Sequence, residues 1–265
     1  MDIFAIKKGK AFKISIDEFE NQTRKDFLYY RINEKKKLLC YAICPECGNP
    51  IQIVNMYGKE MMQEVTNKIV AYGKHTTKAV NGFPYWNEAA KKNCSLYNPP
   101  SLENKEIRAS SEESEQIRKI VEQNWQKIKR DIREIVGINL SNKTLEYMKD
   151  VFINSNAYSY KAVNQYNIPY AMLRYQGAIL IYNGFLLDSY MGEIIKDKIN
   201  SNSLYFEVEN NRIVKKSEGY HSIKFYFTKH NRINGKQYIH MVISEGGNNK
   251  FISNERIEMK SYIYR

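Results

Sequence analysis

Two cysteines, Cys44 and Cys47, stand in a Cys-Pro-Glu-Cys segment that is closed by Gly48. A Cys-x2-Cys turn followed by glycine is the usual way of presenting two thiolates to one zinc ion. Zinc prefers thiolate and imidazole ligands, and a structural site takes four of them in a tetrahedron. The pair therefore supplies half of a metal site and requires two more ligands.

The remaining candidates are few, because the chain has only two other cysteines and four histidines: Cys40, Cys94, His75, His221, His230 and His240. His75 and Cys94 lie where a later loop can return to the turn, so they complete the preferred set of zinc ligands. Cys40 is an alternative to His75, although its apolar strand favours a small buried hydrophobic residue. Four protein ligands leave no position for water, which predicts a structural zinc site and not a catalytic one. The competing interpretation is that the two cysteines of the turn are free thiols.

Short apolar segments bounded by turn-forming residues surround the cysteine pair and predict a β domain over residues 1–100. The expected strands are Lys10–Ile16, Leu38–Ile43, Ile51–Tyr57 and Lys68–Gly73. A knuckle between two strands, with the metal taking the place of a hydrophobic core, is typical of a zinc ribbon. The sequence Asn98-Pro99-Pro100 then interrupts regular structure and predicts a domain boundary near residue 100.

A helical region is expected next, from about residue 110 to residue 176. Apolar residues recur at helical spacing from Ser110 to Val136, where Ser110 and Glu113 predict a capping box and Gly137 predicts the C-terminal stop. A second helix is expected after Ser141, and a third over Pro169–Tyr175.

From about residue 177 to residue 265 the hydrophobic period changes to two, and Asn-Gly and Asn-Asn pairs indicate tight turns. These features predict a C-terminal antiparallel sheet. The expected strands are Ser203–Glu209, Arg212–Lys216, Ser222–Lys229, Lys236–Ser244 and Arg256–Tyr264. The whole chain is therefore predicted to be α+β, with a zinc-ribbon-like domain over 1–100 and an α+β domain over 101–265.

The chain is strongly basic, with 41 Lys and Arg against 29 Asp and Glu, a formal charge of +12. Residues 1–100 contain 16 basic and 10 acidic side chains, residues 161–265 contain 15 and 9, and the region between them balances. Excess charge of this kind favours encounter with nucleic acid or with an acidic protein surface. A bias toward Lys, Asn and Ile from an AT-rich coding sequence is the competing explanation.

The segment Cys44 to Ile51, a following β segment, His75 and an isolated Cys94 before a proline pair resemble the zinc-ribbon-like region of competence CoiA-like proteins. They are also similar to zinc-ribbon proteins of bacterial mobile elements and phages. The resemblance covers residues 38–100. The usual second histidine, two residues after the first, is replaced here by Thr77. The resemblance implies DNA-linked work in a bacterial cytoplasm, with a nuclease-like domain after the ribbon.

A nuclease of the PD-(D/E)xK type needs two carboxylates for Mg²⁺ and a lysine that steadies the attacking water. Glu245 followed by Glu258 and Lys260 has this form, and the last two residues would share one face of a strand. Mg²⁺ is expected only under this hypothesis. Alternating charge on a solvent-facing edge strand explains the same residues more simply, and no enzyme class is assigned.

Aromatic and basic residues alternate on two of the predicted strands. A sheet face of this kind can stack bases and bind phosphates, although aromatic residues are also common in strands for packing reasons. The candidate nucleic-acid-binding residues are Lys224, Tyr226, Lys229, Arg232 and Lys236.

Three functional hypotheses follow from these observations. The first is a zinc-stabilised, basic, nucleic-acid-associated protein of a bacterium, phage or mobile element. The second is a protein-binding factor, for example an inhibitor of a host or defence enzyme, and the third is the Mg²⁺-dependent nuclease. A cytoplasmic location without a membrane partner is expected, because Met1–Phe12 lacks a signal-like apolar stretch and Gly177–Leu187 is too short to cross a bilayer. The sequence assigns no oligomeric state.

Overall fold

The computed structural model describes residues 1–57, 70–83, 85–216, 218–246 and 250–264. Contacts within the chain group these residues into two compact units, Met1–Pro100 and Ser101–Arg265. Both units combine helices with antiparallel sheet, which confirms the predicted α+β class.

The described residues of the N-terminal unit form a six-stranded antiparallel sheet with two helices. Its strands run in the order β2-β1-β4-β5-β6, and β3 pairs with residues 38–40 of β4, whereas β1 pairs with this strand at Ile43. The strands are β1 (Ile3–Ala5), β2 (Ala11–Lys13), β3 (Tyr30–Ile32), β4 (Leu38–Ile43), β5 (Pro50–Val54) and β6 (Tyr72–His75), and the helices are α1 (Ile16–Thr23) and α2 (Glu88–Lys92).

This unit has a hydrophobic core of its own, which corrects the expectation that a metal takes the place of one. Phe4 and Phe19 are fully buried, their rings lie 5.2 Å apart, and Ile51 of β5 belongs to the same cluster. Burial of aromatic side chains on this scale contributes folding free energy independently of any ion.

The expected strand Lys10–Ile16 was too long. It ends at Lys13, because the Ser15 hydroxyl accepts a hydrogen bond from the Glu18 amide at 3.2 Å and caps a helix that begins at Ile16. The strand expected over Ile51–Tyr57 ends at Val54, where Asn55 takes a left-handed conformation.

The predicted strand Lys68–Gly73 is displaced toward the C-terminus, because β6 covers Tyr72–His75. Residues 68 and 69 lie outside the described residues. The displacement follows from pairing, since His75 stands opposite Ile51 of the neighbouring strand.

The C-terminal unit contains five α-helices among its described residues and a short 3-10 turn at Ala157–Ser159. The helices are α3 (Ser111–Gln123), α4 (Trp125–Val136), α5 (Asn142–Asn154), α6 (Ile168–Tyr175) and α7 (Tyr190–Asn202). The Ser110 hydroxyl caps α3 by accepting from the Glu113 amide at 3.2 Å, and Gly137 ends α4 with a φ of 68°. A side chain at Gly137 would meet the Gly192 amide nitrogen at 2.6 Å, so this position requires glycine.

The single helix expected from Ser110 to Val136 is two helices. Asn124 has φ −111° and ψ 18°, and its side-chain amide donates to the Ile120 carbonyl at 3.2 Å. An Asn side chain that bonds to the backbone in this way competes with the helical ladder and interrupts it. The apolar stripe continues through the break, which is why hydrophobic period alone does not detect it.

Helix α7 lies in the region where only strands were expected. The Ser189 hydroxyl accepts from the Gly192 amide at 3.1 Å and starts the helix, while Ile195 and Ile199 are fully buried four residues apart. Capping and spacing of this kind were readable signals that the sequence interpretation missed.

The sheet of the C-terminal unit has the order β12-β11-β10-β7, and β8 and β9 form a separate hairpin. The strands are β7 (Ile179–Leu180), β8 (Phe206–Glu209), β9 (Arg212–Lys215), β10 (Ile223–Ile233), β11 (Lys236–Glu245) and β12 (Lys250–Glu258). Asn234 and Gly235 both have positive φ in the β10–β11 turn, as an Asn-Gly hairpin requires.

The last strand begins and ends six residues earlier than the predicted Arg256–Tyr264, because β12 covers Lys250–Glu258. Beyond Glu258 the chain leaves the sheet, and the Tyr264 hydroxyl donates to the Asp131 carboxylate at 2.8 Å. The apolar and aromatic residues that suggested a strand therefore pack against helices instead. None of the described helices is long and apolar enough to cross a bilayer.

Candidate metal centre

Four side chains of the N-terminal unit converge on one point. The ligand atoms of Cys44, Cys47, His75 and Cys94 all lie within 4.8 Å of one another, and all four residues are buried. We call this group the Cys3His quartet.

The spacing within the quartet suits a tetrahedral ion. Zinc bonds of about 2.3 Å to sulfur and about 2.0 Å to nitrogen give tetrahedral edges of roughly 3.8 Å between sulfurs and 3.6 Å between sulfur and nitrogen. The Cys44 and Cys94 sulfurs lie 3.6 Å apart. His75 Nε2 lies 3.4 Å from the Cys47 sulfur and 3.8 Å from the Cys94 sulfur. These side chains can therefore hold a metal ion such as zinc with little rearrangement.

The turn between β4 and β5 positions the first two ligands. The Cys44 amide donates to the Asn49 carbonyl at 2.8 Å, and the Gly48 amide donates to the Cys44 carbonyl at 2.9 Å. Gly48 has a φ of 76°, a conformation that an L side chain rarely adopts, so the glycine that closes the motif is a geometric requirement.

The other two ligands come from separate elements. His75 is the last residue of β6, and its burial follows from the alternation of that strand. Cys94 follows the short helix α2, and its amide donates to the Lys91 carbonyl at 3.1 Å. The quartet therefore joins a turn, a strand end and a helix end that are distant in sequence.

Cys40 lies outside the quartet. It is buried on β4 opposite Ile53, and burial raises the pKa of its thiol to about 11. A thiol with a raised pKa is inert as a nucleophile, and this cysteine serves as a small core residue.

Asn49 connects two parts of the site and was not singled out from the sequence. Its side-chain amide nitrogen lies 3.4 Å from the Cys47 sulfur and donates to the Asn87 carbonyl at 3.0 Å. Its side-chain oxygen accepts from the Asn87 amide at 2.7 Å. Asn87 in turn caps α2, the helix that leads to Cys94. An outer hydrogen bond of this kind orients a metal ligand.

Glu46, between the two cysteines of the turn, makes a second connection. Its carboxylate accepts from the amide and the hydroxyl of Ser95, both at 2.7 Å, and from the Leu96 amide at 3.2 Å. Burial raises the pKa of this carboxyl group, although the bonds from Ser95 oppose the shift. The turn and the segment after α2 are therefore held together independently of the thiols.

The thiols of the quartet differ in acidity. Burial raises the pKa of Cys44 to about 12. The pKa of Cys47 is lowered, because hydrogen bonds from Cys44, and also from Cys94, favour its thiolate. A bound cation would displace the remaining thiol protons. Metal affinity must therefore weaken as the pH is lowered.

Comparison of the chain with family models, with curated proteins and with solved structures finds no match. The resemblance to CoiA-like and mobile-element zinc-ribbon proteins therefore stays a prediction.

The residues of the nuclease hypothesis are not brought together. Glu245 pairs with Lys250 at one end of the β11–β12 ladder, whereas Glu258 pairs with Tyr238 at the other end. Seven residues of strand separate these positions, roughly 24 Å. One Mg²⁺ ion cannot bind both carboxylates. Lys260 lies beyond the end of β12, where its backbone amide donates to the Tyr170 hydroxyl.

Each of the two carboxylates has protein partners. Glu245 is completely buried and accepts bonds from the Ser203 hydroxyl and from the Leu204 amide, the latter at 2.9 Å. Glu258 forms an ion pair with Lys236 at 2.9 Å. These contacts give both residues structural roles.

The five predicted nucleic-acid-binding residues do not share one face. Lys224 and Tyr226 alternate with the buried Phe225 and Phe227, so they lie on the outer face of the sheet. Lys229 sits at a β-bulge with a positive φ of 45°.

Beyond this bulge, Arg232 pairs with Gln237 and Lys236 pairs with Ile233. The two basic residues therefore occupy successive pair positions, whose side chains point to opposite faces. Lys236 is also partly neutralised by its ion pair with Glu258.

Proposed function

We propose that this chain is a zinc-stabilised, basic, nucleic-acid-associated protein of a bacterium, phage or mobile element, with the zinc in a structural role. The observation that carries the zinc assignment is the buried Cys3His quartet, whose sulfur and nitrogen atoms have tetrahedral spacing. Its donor set of three thiolates and one imidazole is typical of structural zinc sites. With all four positions supplied by protein, no position remains for a reacting water.

Zinc in this site would join three segments that are far apart in the sequence. Binding to a preformed group of ligands adds directly to folding free energy, because the unfolded chain has no equivalent site. The hydrophobic core around Phe4 and Phe19 and the bonds of Glu46 support the same arrangement. The metal therefore fixes the turn and the two returning ligands within a unit that also has a core.

Nucleic-acid association is supported by charge. The excess of 41 basic over 29 acidic residues is large, and residues 1–100 and 161–265 share it. Neutralising phosphates with lysine and arginine releases condensed counterions, which favours binding to any polyanionic strand.

The zinc assignment can be tested with two matched substitutions. Cys94→Ser removes a ligand, whereas Cys40→Ser removes a buried thiol from the same unit outside the quartet. Metal analysis by mass spectrometry should find one zinc per chain in the unsubstituted protein and in Cys40→Ser, and strongly reduced zinc in Cys94→Ser. Absence of zinc from the unsubstituted protein, or full zinc in Cys94→Ser, would contradict the assignment.

The association can be tested by fluorescence anisotropy with labelled single- and double-stranded DNA and RNA over a series of salt concentrations. The logarithm of the association constant should fall linearly with the logarithm of the salt concentration, because each phosphate contact contributes to the slope. Failure to bind any of the four would refute nucleic-acid association while leaving the zinc site intact. In that case stable co-purification with one protein would favour the protein-binding hypothesis.

A further inference from the structure

The sheet of the N-terminal unit has a second face that the metal centre does not use. Tyr41 of β4 pairs with Gln52 of β5, and Gln52 pairs with Lys74 of β6. Paired residues point to the same side of a sheet, so these three side chains form a row across three strands. Their strand neighbours Ala42, Ile51 and His75 are buried on the opposite face. The row therefore lies on the outer face.

The segment after β6 folds back over this row. The Arg31 guanidinium donates a hydrogen bond to the Asn81 carbonyl, and the Phe83 ring lies 6.4 Å from the Tyr41 ring. The space between segment and sheet is a groove of about 390 Å³. Residues that line it include Arg31, Tyr41, Gln52, Lys74, Thr76 and Lys78.

The groove is cationic. Arg31, Lys74 and Lys78 line it, and no Asp or Glu does so within the described residues. Both lysines are exposed. Neither of them forms an ion pair with another described residue. A group of three cations that has no acidic partner among the described residues attracts an anion.

The arginine is already positioned. Its guanidinium lies 5.5 Å from the centre of the Tyr41 ring and 5.9 Å from that of Phe83, and Asn81 accepts from one of its nitrogens. A planar guanidinium held in this way presents its other N–H groups at low entropic cost, which suits phosphate oxygens. The Gln52 amide and the Thr76 hydroxyl add neutral polar groups to the lining.

We propose that this groove binds the phosphodiester backbone of a single nucleic-acid strand. The inference rests on the proposed nucleic-acid association and assigns it a place. A backbone is favoured over a stacked base because Arg31 already covers the Tyr41 ring. A single strand is favoured because a groove of about 390 Å³ has room for a few groups of one backbone, whereas a duplex carries two backbones that lie about 12 Å apart across its major groove.

The test compares two double substitutions of equal charge in the full-length protein. Lys74→Gln with Lys78→Gln removes two groove cations. Lys7→Gln with Lys35→Gln removes two exposed lysines of the same unit that do not line the groove. The measurement is the affinity for a single-stranded oligonucleotide and for the duplex of the same sequence, each as a function of salt.

The variant that lacks both groove lysines, called the groove pair, should show a salt slope smaller in magnitude by about 1.4, because each phosphate contact on a single strand contributes about 0.7. Its affinity at low salt should fall at least about tenfold, and the control pair should change much less. Zinc content serves as the folding control, because Lys74 adjoins the ligand His75. Gln52→Glu is a second test that leaves every lysine in place, and its new carboxylate should also weaken binding.

The outcomes separate the two proposals. Equal losses in the groove pair and the control pair, with unchanged binding by Gln52→Glu, would overturn the groove while leaving nucleic-acid association standing. Loss confined to duplex binding would overturn the single-strand assignment. If the unsubstituted protein binds no oligonucleotide, the association itself fails, and the occupant assigned to the groove fails with it.

Discussion

Replacing Asn49 with aspartate changes one atom type beside the quartet and is the sharpest test of how the site is held. Asn49 is completely buried, and its amide nitrogen lies 3.4 Å from the Cys47 sulfur and 3.0 Å from the Asn87 carbonyl oxygen. In Asn49→Asp an acceptor oxygen replaces this donor. The other oxygen still accepts from the Asn87 amide, so the shape and one of the three side-chain contacts are preserved.

The expected cost follows from these contacts. A hydrogen bond to a charged group such as the Cys47 thiolate is worth about 1.5–3 kcal/mol. A tenfold change in affinity corresponds to about 1.4 kcal/mol, so loss of this bond weakens zinc binding about 10- to 150-fold. Repulsion between the new carboxylate and the thiolate acts in the same direction. We therefore expect a loss on the order of a hundredfold, within the usual effect of outer-sphere ligands.

Competition with a chromogenic zinc chelator at neutral pH measures this affinity. Asn55→Asp is the matched control, because it makes the same chemical change at an exposed turn of the same unit. The control should bind zinc as the unsubstituted protein does. Unchanged zinc affinity in Asn49→Asp, with a folded circular dichroism spectrum, would refute the role of Asn49 in holding Cys47.

Three further predictions concern the C-terminal unit. Burial lowers the pKa of His230, whose Nδ1 accepts from the Leu102 amide at 3.0 Å. As the pH falls, the histidine of the unfolded chain therefore takes up a proton before that of the folded chain does. The free energy of unfolding should decline as the pH falls below about 6.5. Urea unfolding at several pH values should show this decline in the unsubstituted protein and a weaker one in His230→Gln. Glu245→Gln should destabilise the unit by about 1.5–3 kcal/mol, because a buried carboxylate bonded to Ser203 and Leu204 loses its charge; an unchanged melting temperature would contradict this. Ile132→Ala should cost about 2–5 kcal/mol by opening a cavity at a fully buried position of α4, and exposed Ile107→Ala should be nearly neutral in the same denaturation assay.

Features that depend on a few neighbouring residues could be read from the sequence. The turn at Cys44 and Cys47 needs only local bonds and the positive φ of Gly48. The cap at Ser110, the helix stop at Gly137 and the Asn-Gly hairpin are set in the same way. Short-range sterics and hydrogen bonds fix all of these, whatever the rest of the chain does.

The limits of elements were less predictable because packing competes with local preference. The apolar stripe through Asn124 reads as one helix, yet a side-chain bond to Ile120 divides it. The segment that holds α7 lies among strand signals, which hid its local helix signals, the cap at Ser189 and the four-residue spacing of the buried Ile195 and Ile199. Propensity is a weak guide where tertiary contacts decide.

The candidate ligands could be proposed from residue type, since so few cysteines and histidines were available. Their convergence required the fold, because His75 and Cys94 reach the turn only through strand pairing and through α2. Strand register also placed Glu245 and Glu258 at opposite ends of a ladder in the C-terminal unit. In the N-terminal unit it aligned Tyr41, Gln52 and Lys74 in one row. The sequence by itself determined the donor types and the local turns. Only the tertiary structure decided which residues meet, because strand register and helix packing are long-range properties of the chain.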